Sequence, residues 1–132
     1  MSGISKEIAE SEVKSWLEFK KVKADKIERF SKTIESLVGA IMDGSLILDD
    51  DKTFIQKLDF PVGAEGAVKE LRHKARVSAG QIKINTTGAY SDGDGRIIGI
   101  ISAVTGLPKN IIENLDTEDY AIAGNISLFF LS

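Results

Sequence analysis

Residues 97–131, IIGIISAVTGLPKNIIENLDTEDYAIAGNISLFFL, predict three short helices in the C-terminal third of the chain. The first is expected to end at Val104, because Gly106 favours the left-handed conformation that closes a helix. Pro108 suits the first position of the second helix, where the N–H that proline lacks would have no partner. Asp116 is expected to open the third helix, with its carboxylate capping the free N–H groups.

The middle of the chain has the two-residue period of a β-hairpin. Residues 53–60 have a strand period with one imperfect face, in which Phe54, Gln56, Leu58 and Phe60 alternate with Ile55, Lys57 and Asp59. Pro61 to Gly66 supply a turn, and residues 67–73 are expected to return antiparallel to the first strand. This is the single hairpin that the sequence predicts.

The segments on either side of the hairpin are expected to be irregular. Residues 43–51 predict an acidic, turn-rich link in which Leu46, Ile47 and Leu48 turn onto the core. Residues 78–95 are polar and rich in glycine, which predicts a mobile loop with a short helical or strand piece near residues 82–84.

Residues 6–43 carry the period of a helix. In the second part of this segment one apolar stripe recurs at three- and four-residue spacing, made of Ile27, Phe30, Ile34, Leu37 and Ile41. Asp25 and Glu28 resemble a capping pair, so helices over 6–22 and 26–43 and one long helix are both open, with Gly44 as the stop. The predicted fold is mainly helical α+β, with an N-terminal helix or helix pair, one β-hairpin and three short C-terminal helices.

Length and composition narrow the class of protein. The chain has 132 residues, a net charge of -3 and no cysteine. This length fits one globular unit, with an N-terminal helical segment over residues 1–50 and the rest over residues 51–132. The charge balance argues against a nucleic-acid partner, and no apolar run is long enough to span a membrane. The polar start is unlike a secretory signal, so a cytoplasmic location in a bacterial host is expected.

No group of residues has the pattern of a catalytic or metal site. His73 is the single histidine and is expected on a face of the hairpin. Asp92 and Asp94 imitate part of a calcium loop, but the other positions of that loop lack their carboxylates. Asp94 is instead expected to cap the following helix. We therefore expect no catalytic residue, no cofactor and no metal.

A group of basic residues near the end of the first helical segment has two readings. The group consists of Lys20, Lys21, Lys23, Lys26 and Arg29. It resembles a nucleic-acid patch, but acidic residues are interleaved with it at spacings that suit pairing between successive helix turns. A solvated helix face with ion pairs is therefore preferred.

The chain resembles the phage tail assembly chaperones, in particular the Mu-like prophage family. The similarity rests on the phrases TGLP at 105–108, LD at 115–116, DY at 119–120 and the final FL, with a hairpin layout before them, and it covers about residues 53–132. Lys74 and Arg76 depart from that family, which tends to have arginine and proline at these positions. Residues 1–50 have no counterpart in the short members.

The resemblance implies a non-enzymatic chaperone for tail assembly. Such a protein coats the tape-measure protein, keeps its apolar helices soluble and recruits tail-tube subunits. The positions that the resemblance and their apolarity suggest as partner contacts are Leu107, Pro108, Ile111, Ile112, Phe129, Phe130 and Leu131.

Other functions stay open at this point. The chain could be a structural subunit of a virion or contractile tail, in which case it would remain in the particle. A small enzyme or nucleic-acid-binding regulator is a weaker alternative. The apolar residues at the C-terminus and those of the N-terminal stripe either bury each other or leave one association surface, to a partner or to a second copy of the chain.

Overall fold

A computed structural model describes residues 4–131 and shows a mainly helical α+β fold, as the sequence predicts. The strands are β1 (Leu46–Leu48), β2 (Phe54–Val62) and β3 (Val68–His73). The helices are α1 (Lys6–Lys20), α2 (Ala24–Arg29), α3 (Ser31–Asp43), α4 (Ala79–Asn85), α5 (Gly93–Thr105), α6 (Lys109–Glu113) and α7 (Thr117–Ser127).

The N-terminal region forms three helices where one or two were predicted. The Ser5 hydroxyl caps α1, and Lys21 ends it in the left-handed conformation. The residue before α2 is Lys23, whose side chain makes no capping bond, so the predicted capping pair after it is wrong. Phe30 separates α2 from α3 because its φ of -103° and ψ of 28° lie outside the helical region. Gly44 closes α3 at a φ of +85°, as predicted.

The sheet has three antiparallel strands in the order β1-β2-β3. The predicted hairpin is confirmed as β2 and β3, with Phe54 opposite His73. The acidic link was expected to have no strand, but β1 pairs with β2 and places Leu46 opposite Gln56. Leu46 is fully buried, whereas Ile47 is exposed. Three residues with one buried side chain are too short a pattern to indicate a strand from sequence.

The segment predicted as a loop contains a helix and a single turn. Ser78 caps α4, which includes the residues where a short helical piece was expected. A 3-10 turn follows at Gly88–Tyr90, and α5 then begins after Asp92. Asp94 lies inside the first turn of α5, so the prediction that it caps this helix is wrong.

The three C-terminal helices are confirmed. Gly106 closes α5 at a φ of +77°, and its N–H donates to the Ser102 carbonyl at 2.8 Å. Pro108 lies one position earlier than predicted, at the N-cap of α6. The Asp116 carboxylate accepts from the Glu118 N–H at 3.0 Å and opens α7.

Two buried apolar clusters lie within the described residues. The first joins α1 and α3 to one face of the sheet and to the C-terminal end of the chain, and its centre is Trp16. The Trp16 ring lies 4.9 Å from that of Phe54 and 5.5 Å from that of Phe129, between centroids. The second cluster holds α5, α6 and α7 against the hairpin. The N-terminal helices therefore share a core with the C-terminus.

Candidate partner-binding groove

An open groove of about 780 Å³ runs between α1 and α3, with α2 at one end. Apolar side chains line its floor: Val13, Leu17, Ile27, Ile34, Val38 and Met42. Val13 is 1% exposed and Leu17 is 5% exposed, because both also belong to the first buried cluster. The floor is thus continuous with the core.

The α1 side of the groove is a row of charged side chains. Lys6, Glu10, Lys14 and Glu18 follow each other at four-residue intervals and therefore lie along one face of the helix. All four are exposed. Among residues 4–131 none of them has a salt bridge or a side-chain hydrogen bond. We call these four residues the charged row.

The α3 side is lower because it contains a glycine. Gly39 lines the groove between Glu35 and Met42, and no heavy atom lies within 4 Å of the place where a Cβ would stand. Glycine in a helix interior destabilises the helix by about 1 kcal/mol relative to alanine. The open space above Gly39 allows another backbone to approach α3 closely.

The residues suggested as partner contacts are divided between the two clusters. Leu107 and Ile111 pack, partly buried, against the second cluster, in which Ile112 is 1% exposed. Pro108 is exposed between them. The structure therefore leaves Pro108 accessible and encloses Ile112.

The C-terminal members of that set lie against the N-terminal helices. Phe129 is 4% exposed, and its ring lies 5.4 Å from that of Phe30. Phe130 is partly buried on the same cluster, and Leu131 is of intermediate exposure. Leu37 and Ile41 of the N-terminal stripe share this core with the C-terminal apolar residues, whereas Ile27 and Ile34 are only partly buried against it. The two sets therefore bury each other in part, and the stripe keeps some accessible surface.

A shallow hollow of about 240 Å³ lies between α5, α6 and α7. Ile98, Ile112, Leu115 and Tyr120 supply its apolar lining. The Tyr120 hydroxyl is buried and has no hydrogen-bond partner in the described chain. Burial, followed by the charge of Asp94, raises the pKa of this phenol. The hollow is much smaller than the groove.

Two of the five basic residues lie against the C-terminus. Lys20 Nζ donates to the Ala75 carbonyl at 2.8 Å and lies 3.6 Å from the ring centroid of Phe130. Burial lowers the pKa of Lys20 to about 8, and the charges of Lys26 and Arg76 act in the same direction. Lys26 Nζ donates to the Leu131 carbonyl at 2.6 Å. The predicted solvated face with ion pairs is therefore wrong for these two lysines.

A buried polar network connects the hairpin with α7. His73 lies on β3, as predicted, and its Nε2 is 2.9 Å from Gln56 Oε1. Gln56 Nε2 donates to the Asp119 carbonyl at 2.8 Å, and the Asp119 carboxylate accepts the N–H groups of Asp59 and Phe60. Burial lowers the pKa of His73 to about 3, so its ring is neutral at physiological pH.

Sequence reasoning identified part of the groove but not its shape. The sequence leaves the N-terminal stripe open as an association surface, and two of its members, Ile27 and Ile34, line the groove. Val13, Leu17 and Met42 were missed as lining residues. The charged row at regular four-residue spacing was the available signal, because such a row marks one edge of an apolar surface.

Comparison of the chain with protein families, curated proteins and solved structures finds no match. Within residues 4–131, no three histidine or acidic side chains come together as a metal site would require. No helix in the same range is both long and apolar enough to cross a membrane.

Proposed function

We propose that this chain is a non-enzymatic phage tail assembly chaperone, which binds the tape-measure protein and helps to recruit tail-tube subunits. The resemblance of residues 53–132 to that family suggests the process. The groove between α1 and α3 carries the proposal, because its apolar floor and charged edge suit an amphipathic helix. Coating a helix requires binding and release, and no covalent step.

The size of the groove suits reversible binding. A large aliphatic side chain that leaves water contributes roughly 2 kcal/mol. Three such side chains of the partner, packed on the groove floor, would therefore contribute roughly 6 kcal/mol to binding. The loss of translational and rotational freedom on association offsets much of this gain. Repeated weak sites along a long helical partner would keep it soluble and still allow the chaperone to leave.

The test is co-expression of the chain with the tape-measure protein encoded in the same genome. We expect the chain to keep the tape-measure protein in the soluble fraction and to co-elute with it. Gly39→Phe should abolish both effects, because the ring would fill the groove from an open position. Ser36→Phe is the matched control, since Ser36 is exposed on the same helix outside the groove.

Two outcomes would contradict the proposed function, and a third would contradict the binding site. A tape-measure protein that stays insoluble and unbound in the presence of the chain would remove the chaperone function. Detection of the chain in stoichiometric amounts in purified particles, by mass spectrometry, would instead identify a structural subunit of the virion. Equal loss of binding in Gly39→Phe and Ser36→Phe would move the binding site away from the groove.

A further inference from the structure

We infer that the occupant of the groove is an amphipathic helix whose flank beside α1 carries acidic and basic side chains in alternation, four residues apart. The inference rests on the proposed function and adds the chemistry by which the partner helix is selected. It follows from the charged row and from the free space above Gly39.

The order of charges in the row is the first argument. Lys6, Glu10, Lys14 and Glu18 are successive members of one helix face, about 6 Å apart along the axis. The row has two bases and two acids, so its net charge is zero and it attracts neither acidic nor basic helices over long distances. A side chain of a docked helix that pairs with one member of the row at about 4 Å or less is nearer to that charge than the charge is to its neighbours, so the helix meets each of them separately.

A uniformly charged flank would not match this row. An acidic flank would face Lys6 and Lys14 favourably, but Glu10 and Glu18 would repel it. A basic flank would meet the opposite pattern. An alternating flank pairs with all four residues, and it can do so in either chain direction after a shift of one turn. Charge order at the edge of an apolar seam sets partner choice in paired helices by the same means.

The α3 side of the groove supplies the second argument. Gly39 leaves its Cβ position empty, so the backbone of an inserted helix can approach α3 and press its other flank against the charged row. Glu35, one turn before Gly39, is exposed and offers a carboxylate to a basic side chain on the far flank. From Lys6 to Glu18 the row spans about 18 Å, which corresponds to a helix of about three and a half turns.

The test uses three synthetic peptides with internal lactam bridges that fix them as helices of about four turns. All have the same leucine ridge, and their flanks are alternating glutamate and lysine, all glutamate, or all lysine. Titration with the full chain, followed by fluorescence anisotropy, should show roughly tenfold tighter binding of the alternating peptide. The preference should shrink as salt is raised, because the row is exposed.

A change of charge in the row should change which of the three peptides binds most tightly. Glu10→Lys with Glu18→Lys makes the row uniformly basic, so the all-glutamate peptide should become the tightest ligand. Glu12→Lys with Glu28→Lys is the matched control, because it changes the net charge equally but lies outside the groove lining. The control should keep the preference of the unmodified chain for the alternating peptide.

The outcomes separate this inference from the proposed function. Equal affinities for the three peptides, or binding of none, would overturn the inference while the tape-measure experiment decides the function independently. A dimer of the free chain that Gly39→Phe dissociates, seen by sedimentation, would make a second copy the occupant and overturn it too. If Glu10→Lys with Glu18→Lys comes to prefer the all-glutamate peptide but the tape-measure protein stays insoluble, the groove does select helices by their charges. The chain would then not be a tail assembly chaperone.

Discussion

Gly39 in the N-terminal half and Gly99 in the C-terminal half both lie inside helices, but their surroundings are opposite. Gly39 on α3 faces open space in the groove. Gly99 on α5 is buried, and a Cβ there would collide with the carbonyl oxygen of Asn85. Gly95, one turn earlier, is in the same contact with the Ala89 carbonyl. Gly39 therefore leaves a helix surface open, whereas Gly95 and Gly99 let α5 pack directly against a neighbouring backbone.

The C-terminal half is therefore closely packed at these helices, whereas the N-terminal half has an open groove. In the C-terminal half, α5 lies against residues 85–90 so closely that only glycine fits, and the buried polar network fixes α7 on the hairpin. In the N-terminal half, α1 and α3 share a core below the groove but remain apart above it.

The largest effect is expected where the C-terminus enters the N-terminal core. Phe129→Asp places a carboxylate among Trp16, Phe30 and their neighbours, so we expect the domain to lose roughly 4 kcal/mol of stability or more. Phe19→Asp is the matched control because Phe19 is 46% exposed on α1, and it should change stability by about 1 kcal/mol or less. Urea unfolding measures both. A stable, folded Phe129→Asp protein would show that the C-terminus is an accessible surface.

The second largest change in stability is expected at Gly99. It separates the cost of a close backbone contact from the general preference of a helix for alanine over glycine. Gly99→Ala should destabilise the domain by about 2 kcal/mol, since the Asn85 carbonyl would have to move. Gly124→Ala on α7 is the control, because its Cβ would stand 3.9 Å from the Ile97 side chain, an ordinary contact. That variant should be neutral or up to about 1 kcal/mol more stable. Equal effects in thermal unfolding would argue against the close contact at Gly99.

The sequence was most informative where one residue decides a local conformation. Gly44, Gly106 and Asp116 end or begin their helices as predicted, because left-handed caps and side-chain caps depend on residues a few positions apart. The hairpin could also be predicted, because alternation over eight residues is distinctive. β1 could not, since its three residues become a strand only by pairing with β2.

Features that depend on distant contacts were the ones missed. The break at Phe30 has no glycine or proline to mark it. Lys20 looked like a solvated residue, and its environment depends on Ala75 and on Phe130, at the other end of the chain. The groove is a space between two helices, so it requires their relative placement. The apolar stripe and the charged row indicate which helix faces border such a space. They do not indicate whether the two helices stay far enough apart to leave it open.

The buried polar network that fixes α7 on the hairpin should make the stability of the domain depend on pH. His73 has a pKa of about 3 in the folded chain, against about 6.5 when exposed on unfolding. Below pH 6.5 the unfolded chain therefore binds a proton that the folded chain does not, and stability falls as the pH falls towards 3. The loss should approach about 1.4 kcal/mol per pH unit.

His73→Gln isolates this contribution because His73 is the single histidine and glutamine can still donate to Gln56. Urea unfolding at pH 7, 6 and 5 should give a shallower pH dependence for the variant than for the unmodified chain. Parallel pH profiles would mean that His73 is accessible to protons in the folded chain. The polar network would then not be closed to water.

The smallest effect is expected at Gly39, and it has opposite signs for stability and for binding. Gly39→Ala should stabilise the free chain by about 0.5–1 kcal/mol, because alanine favours the helix and its methyl group would meet no neighbour. The same methyl group occupies the space that an inserted helix needs, so affinity for the alternating peptide should fall by a few-fold. Thermal unfolding and peptide titration of this one variant measure both changes. A gain in stability with unchanged affinity would mean that the helix binds away from α3, whereas a loss of stability would mean that the open half is as closely packed as the other.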